Sequence, residues 1–129
     1  MSSDKYVLVD IRDIAEIAAK VLTEDGHISK IYTLTGSDAV CYEEIAKYLS
    51  DILNQSIYYN QVPQKEYYEI LLERGTPSWR AYDLANIAGA YLEDSNKLVT
   101  NDIKNLLNRS ALSVQVFLND YQANFEGDI

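Results

Sequence analysis

A chain of 129 residues, 47% of them hydrophobic, is long enough to bury a real core and fits one domain spanning residues 1–129. Its net charge of −9, from 20 acidic against 11 basic residues, argues against nucleic acid and against an anionic membrane surface, since both attract basic faces. The apolar runs are too short to span a bilayer and the first residues lack a signal-peptide pattern. With Cys41 the single cysteine, no internal disulfide can form, so a cytoplasmic protein is expected.

Lys5–Asp10 is a short apolar run rich in β-branched residues, the pattern of a strand buried on both faces. Asp10 stands where a helix N-cap belongs, and Asp13 follows in the first turn, where the helix dipole favours an anion. Ile14, Ile17, Ala18, Val21 and Leu22 repeat at helical spacing as one apolar face, and Asp25-Gly26 ends the helix. A second strand, Ile31–Leu34, is broken by Thr35-Gly36-Ser37-Asp38. A second helix runs from about Tyr42 to Leu53, with Ile45, Ala46, Leu49, Ile52 and Leu53 inward. A third strand, Ile57–Val62, stops at Pro63.

From Gln64 on, the period is helical. One helix covers about Gln64 to Glu73 and stops at Gly75. Another begins at Thr76-Pro77 and carries Trp79, Tyr82, Leu84, Ala85, Ile87, Ala88, Tyr91 and Leu92, with Gly89 inside it as a mark of close packing. Asp94–Lys97 is a polar loop. Thr100 is expected to cap a short helix, Asn101–Leu107, and Ser113 a last one carrying Val116, Phe117 and Tyr121; Glu126–Ile129 is a frayed tail. The fold class is therefore α/β, a short parallel β-α-β-α-β segment followed by about four helices.

Few residues offer chemistry. The five glycines, 26, 36, 75, 89 and 127, do not cluster into a phosphate-cradling loop. His27 and Cys41 are isolated, so no zinc site is encoded, and His27 reads as a solvent-exposed turn residue. Cys41 precedes a helix whose dipole would lower its pKa, but Glu43 and Glu44 oppose that. Asp10, Arg12 and Asp13 cluster at the C-terminal end of a strand, where open α/β sheets bind ligands; the alternative is an N-cap with a local ion pair. The eleven tyrosines, with Tyr67, Tyr68, Trp79 and Tyr82 on adjacent helices, allow an aromatic-lined pocket for a flat ligand or an ordinary core. No Tyr-x-x-x-Lys pair occurs.

Three blocks, Val9-Asp10-Ile11-Arg12-Asp13-Ile14-Ala15-Glu16-Ile17-Ala18-Ala19, Tyr32-Thr33-Leu34-Thr35-Gly36 and Tyr42-Glu43-Glu44-Ile45-Ala46, resemble the C-terminal portion of NmrA-like proteins. These are atypical short-chain dehydrogenase relatives that include NAD(P)H quinone oxidoreductase-like proteins and proteins labelled nucleoside-diphosphate-sugar epimerases. Val62-Pro63, Gly75-x-Pro77-x-Trp79 and Leu106-Leu107…Phe117-Leu118 continue the likeness over about residues 5–121. The family's Gly-Arg-x-Pro-x-Ser-Phe is replaced by Asn108-Arg109-Ser110-Ala111-Leu112-Ser113-Val114, which puts the packing of the last two helices in question.

The resemblance implies a Rossmann-like lobe lacking the dinucleotide-binding half, either a fragment or a gene that begins late. It further implies an NAD(P) cofactor for the full-length family but none bound by this chain, and a substrate, for instance a quinone, held partly here and reduced by hydride from the missing half. Asp10, Arg12 and Trp79 are the residues expected to face that substrate; no catalytic or metal residue is expected. It implies that Lys5–Asp10 pairs with Ile57–Val62 and that Ile31–Leu34 has lost its sheet neighbour, so self-association through Ile31–Leu34 is expected. The rival functions are a non-catalytic dinucleotide-sensing regulator and a stand-alone self-associating α/β module.

Overall fold

A computed structural model describes residues 5–93 and 98–126, with backbone alone from 88 to 93. The chain divides into two compact units, Met1–Tyr58 with Lys97–Ile129, and Tyr59–Asn96. The first holds α1 (Ile11–Thr23), α2 (Tyr42–Leu53), α5 (Asp102–Leu107), α6 (Val114–Asp120) and α7 (Gln122–Phe125); the second holds α3 (Gln64–Glu73) and α4 (Ser78–Glu93).

Local chemistry sets the helix ends. Asp10 caps α1, accepting the Arg12 amide at 2.9 Å. At α2 the Cys41 amide donates to Glu44 Oε2 at 2.8 Å, half of a capping box. Asn54, left-handed at φ 51°, ends that helix. Gly75, at φ 81°, closes α3 in a Schellman turn in which Thr76 and Gly75 donate to the Leu71 and Leu72 carbonyls. Ser113 caps α6 through Val116 N–H. Thr100 does not cap α5. Asn101 holds that position without a side-chain bond, because Thr100 is drawn into a cross-link described next. The polar loop at residues 94–97, the packing of Gly89 and the end of the tail, residues 127–129, lie outside the described residues or side chains.

The parallel β-α-β-α-β segment is not formed among the described residues. Their β pairing is one antiparallel bridge, in which Tyr6 and Val40 exchange both backbone bonds at 2.7 and 2.9 Å. Lys5–Asp10 therefore has a partner at one point, and neither Ile31–Leu34 nor Ile57–Val62 makes a ladder. Side chains take the backbone groups that a neighbouring strand would satisfy. Thr33 N–H donates to Asp102 Oδ2 at 2.7 Å and Thr33 C=O accepts from Thr100 Oγ1. Thr35 Oγ1 accepts the Thr100 amide at 2.9 Å. Ser50 Oγ accepts from the Ile57 amide at 2.9 Å and lies 3.1 Å from the Ile57 carbonyl.

In the first unit, α1 packs on α5, and α2 packs on α6 and α7. Its core is Ile17, Val40, Ala46, Ile103 and Leu118. The helix face expected on α1 is only partly right. Ile17 is buried, but Leu22 is 85% exposed, and Asp13, one turn before Ile17, is fully buried instead. The inner side of α1 is turned toward a cation from the far end of the chain. Ile28 and Ile31 stay above 90% exposed. In the second unit α3 packs along α4, with Ala81 and Ala85 buried on α4.

Gly36 carries a constraint of its own. A Cβ there would lie 1.9 Å from the Leu8 carbonyl oxygen, and the obstruction is backbone, which cannot swing aside. Gly36→Ala is expected to cost about 1–3 kcal/mol or more, read as a lowered urea midpoint. An unchanged midpoint would show that the two segments are not in contact.

Candidate functional site

Asp10 is 8% exposed and receives three bonds from one residue. Besides the Arg12 amide, the Arg12 guanidinium donates Nε–H to Oδ1 at 3.0 Å and Nη2–H to Oδ2 at 2.7 Å. Arg12 Nη1 donates to Asp120 Oδ2 at 2.6 Å, and the guanidinium lies 5.3 Å from the Tyr121 ring centroid. All three nitrogens of Arg12 are thus engaged by carboxylates. The Arg12 bonds hold the Asp10 carboxyl below its ordinary value, and Asp10 and Asp120 raise the arginine in return. The pair is permanently charged at neutral pH, and its geometry performs capping and clamping: it fixes the start of α1 to the end of α6.

A second ion pair lies one turn away. Asp13 Oδ1 accepts from Arg109 Nη1 at 2.7 Å and Oδ2 accepts from the Leu112 amide at 2.8 Å. Arg109 Nη2 also donates to Glu16, and Glu16 and Asp13 together raise the arginine above its ordinary value. Arg109 follows Asn108, which adopts the left-handed turn at φ 54° in the place of the family's glycine. Arg109 and Ser113 keep their places in that motif, so the replaced segment still closes onto α1 and still starts α6. Sequence reading passed over this pair. The one available signal was an arginine retained inside an otherwise altered motif.

Trp79 belongs to the second unit, in the first turn of α4, and is 68% exposed. The structure brings Asp10 and Arg12 together; Trp79 lies in a unit of its own. There, Tyr68 and Tyr82 with Gln64, Lys65, Ala85 and Asn86 line an open groove of about 250 Å³ between α3 and α4.

Other candidates acquire plain roles. His27 is half-buried rather than solvent-exposed, since its Nδ1 lies 2.8 Å from Tyr32 Oη and its ring meets the Tyr32 ring edge-on. At Cys41 the Glu44 amide lowers the thiol pKa, but burial and the Glu43 and Glu44 carboxyls outweigh it and leave the thiol raised. Among the described residues no group of three or more His, Cys, Asp or Glu side chains could hold a metal ion, and no helix is long and apolar enough to cross a membrane. Nor do the described glycines fit a dinucleotide. Gly75 ends α3 and Gly26 lies in the turn beyond α1, both at positive φ, and the space a Cβ would need at Gly36 is filled by the Leu8 backbone.

Two substitutions separate charge from shape here. Asparagine caps a helix about as well as aspartate, so Asp10→Asn isolates the ion pair. The folded pKa of Asp10 is depressed, so its contribution is present above the ordinary value of 3.8 and is lost as pH falls below it. Asp10→Asn is expected to be less stable at neutral pH and to show a shallower acid limb in pH-dependent urea unfolding. Arg109→Met, which leaves the fully buried Asp13 carboxylate without its cation, is expected to cost about 3 kcal/mol. A loss within about 0.5 kcal/mol, the range of ordinary surface changes, would refute the central role given to that pair.

No family model matches the chain. Agroclavine dehydrogenase of Claviceps purpurea (strain 20.1) is 29% identical over 98 residues, which cover 76% of this chain and 34% of that protein. Triphenylmethane reductase of Citrobacter sp., solved with NADP(H), superposes with a TM-score of 0.84 at 25% identity, over 92% of this chain and 42% of that one. An NADPH-dependent quinone oxidoreductase from Escherichia coli shares the fold, with a TM-score of 0.84 at 20% identity over 94% and 44%. The chain spans 34–40% of the length of the agroclavine dehydrogenases it matches, and its neighbours are Rossmann-like NAD(P)-binding folds. By sequence and fold together, the chain is similar to part of the NmrA-like and NAD(P)H quinone oxidoreductase-like proteins, over about 40% of their length.

Proposed function

We propose that this chain supplies the substrate-holding part of an NAD(P)H-dependent reductase, with the dinucleotide held elsewhere, and that the acceptor is a flat conjugated molecule such as a quinone. One observation carries the reading: the likeness to triphenylmethane reductase over 92% of this chain, in a chain whose described glycines offer no dinucleotide cradle. The chain's own contribution is to bind and orient the acceptor. Trp79, mostly exposed on α4, offers it an aromatic face. Asp10 and Arg12, bonded to each other and to Asp120, fix where α1 begins.

Trp79 is the sole tryptophan, so its fluorescence reports on one place. Titration with 1,4-naphthoquinone, a neutral probe insensitive to the net charge, is expected to quench it saturably. NADPH added to the chain alone is expected to give no saturable change. Purely collisional, unsaturable quenching by the quinone would sink the reading, and tight NADPH binding would sink the division of labour.

The exposure of Ile28 and Ile31 above 90% favours a second reading, a module that associates with itself through Ile31–Leu34. Light scattering is then expected to show a mass above 14.7 kDa that rises with concentration. A monomer at high concentration rejects it.

A further inference from the structure

The groove between α3 and α4 is lined by two tyrosines and a small buried residue. Tyr68 and Tyr82 flank it, and Ala85, 3% exposed, lines its buried side. The absence of a large side chain at Ala85 leaves room between the rings. The polar edge is set by a relay. Asn86 Nδ2 donates to the Tyr82 carbonyl at 2.8 Å, and Asn86 Oδ1 accepts from Gln64 Nε2 at 3.0 Å. The backbone carbonyl fixes the Asn86 amide, and Asn86 fixes that of Gln64. Gln64 Oε1 and a second Nε2 hydrogen remain for another partner. Lys65 is the one cation lining the groove, its side chain 88% exposed and 4.0 Å from Glu69.

Size selects among ligands. A cavity of about 150 Å³ holds benzene, so about 250 Å³ suits two fused rings. Two tyrosine rings favour a flat π-system, and an oriented amide beside a lysine favours a carbonyl or enolate oxygen at one end. Trp79, Tyr82 and Asn86 are spaced i, i+3, i+7 on α4 and share one stripe of that helix, so the exposed tryptophan continues the tyrosine wall.

We infer that this groove is a binding site for a bicyclic aromatic carbonyl compound, its rings against Tyr68 and Tyr82 and its oxygen toward Gln64 and Lys65. The inference rests on the reductase reading above and deepens it, by locating the acceptor in the second unit.

The test is the naphthoquinone titration repeated on variants whose circular dichroism matches the parent chain. Tyr82→Ala is expected to bind about tenfold more weakly, and Tyr82→Phe, which keeps the ring, within about twofold. Tyr68→Leu probes the opposite wall without relying on Tyr82 and is expected to weaken binding likewise. Tyr58→Ala, at a tyrosine 84% exposed outside the groove, is expected to leave affinity unchanged. Saturable binding that Tyr82→Ala and Tyr68→Leu leave intact overturns the groove and spares the reductase reading. Equal losses in Tyr82→Phe and Tyr82→Ala overturn the ring contact. If the parent chain does not bind the quinone, the reductase reading falls and the groove with it.

Discussion

The buried carboxylate of Asp13 is the constraint on which the first unit depends. A charge with no solvent exposure is tolerable only if both oxygens are bonded and a cation is at hand. Those partners, Arg109 and the Leu112 amide, lie 96 and 99 residues away in sequence. Meeting that requirement decides where the segment after α5 must run, and hence where α6 begins. It also explains the poor apolar face of α1: the helix is oriented to deliver a carboxylate, and some of its leucine and isoleucine side chains are left outside.

Arg12 works in the same direction at the other end of α6. Its bonds to Asp10 and Asp120 and its position over Tyr121 pin the start of α1 to the close of α6. Two arginines therefore hold one helix to one returning segment at two points about a helical turn apart. Exposed ion pairs are usually weak. These have a buried carboxylate on one side and several bonds to each cation, the arrangement in which removal of the cation is most costly.

Much of the helical skeleton was legible because its signals are local. Asp10 and Ser113 read as caps and are caps; Gly75 reads as a stop and sits at positive φ. The strands were not legible because a strand is a relation between two segments. The runs at 31–34 and 57–62 have the composition of strands, but Thr100, Asp102 and Ser50 bind their backbone groups in place of a ladder. Thr100 was mistaken for a cap for the same reason, since its partner at Thr33 is 67 residues away. Asp10 and Arg12 were legible by position as a cap and its ion-pair neighbour, whereas the groove depends on Gln64 meeting Asn86 across two helices, which no spacing rule announces.

The first unit is built from two stretches of chain, with Tyr59–Asn96 between them. On a ribosome its first 58 residues emerge complete yet without Arg109, Thr100 or Asp102, so the Asp13 carboxylate must stay hydrated while the intervening helices are made. The second unit is sequence-local, a helix–turn–helix of the kind that forms quickly. Its early formation would take residues out of the floppy loop that must close before Asp13 can be buried. Loop length enters stability only logarithmically, about 0.6 kcal/mol per doubling, but it bears on the rate of every contact across the gap. The order of synthesis thus leaves Arg12 and Asp13 waiting longest for their partners, Asp120 and Arg109, which makes the interval before closure the period of greatest exposure to misassembly.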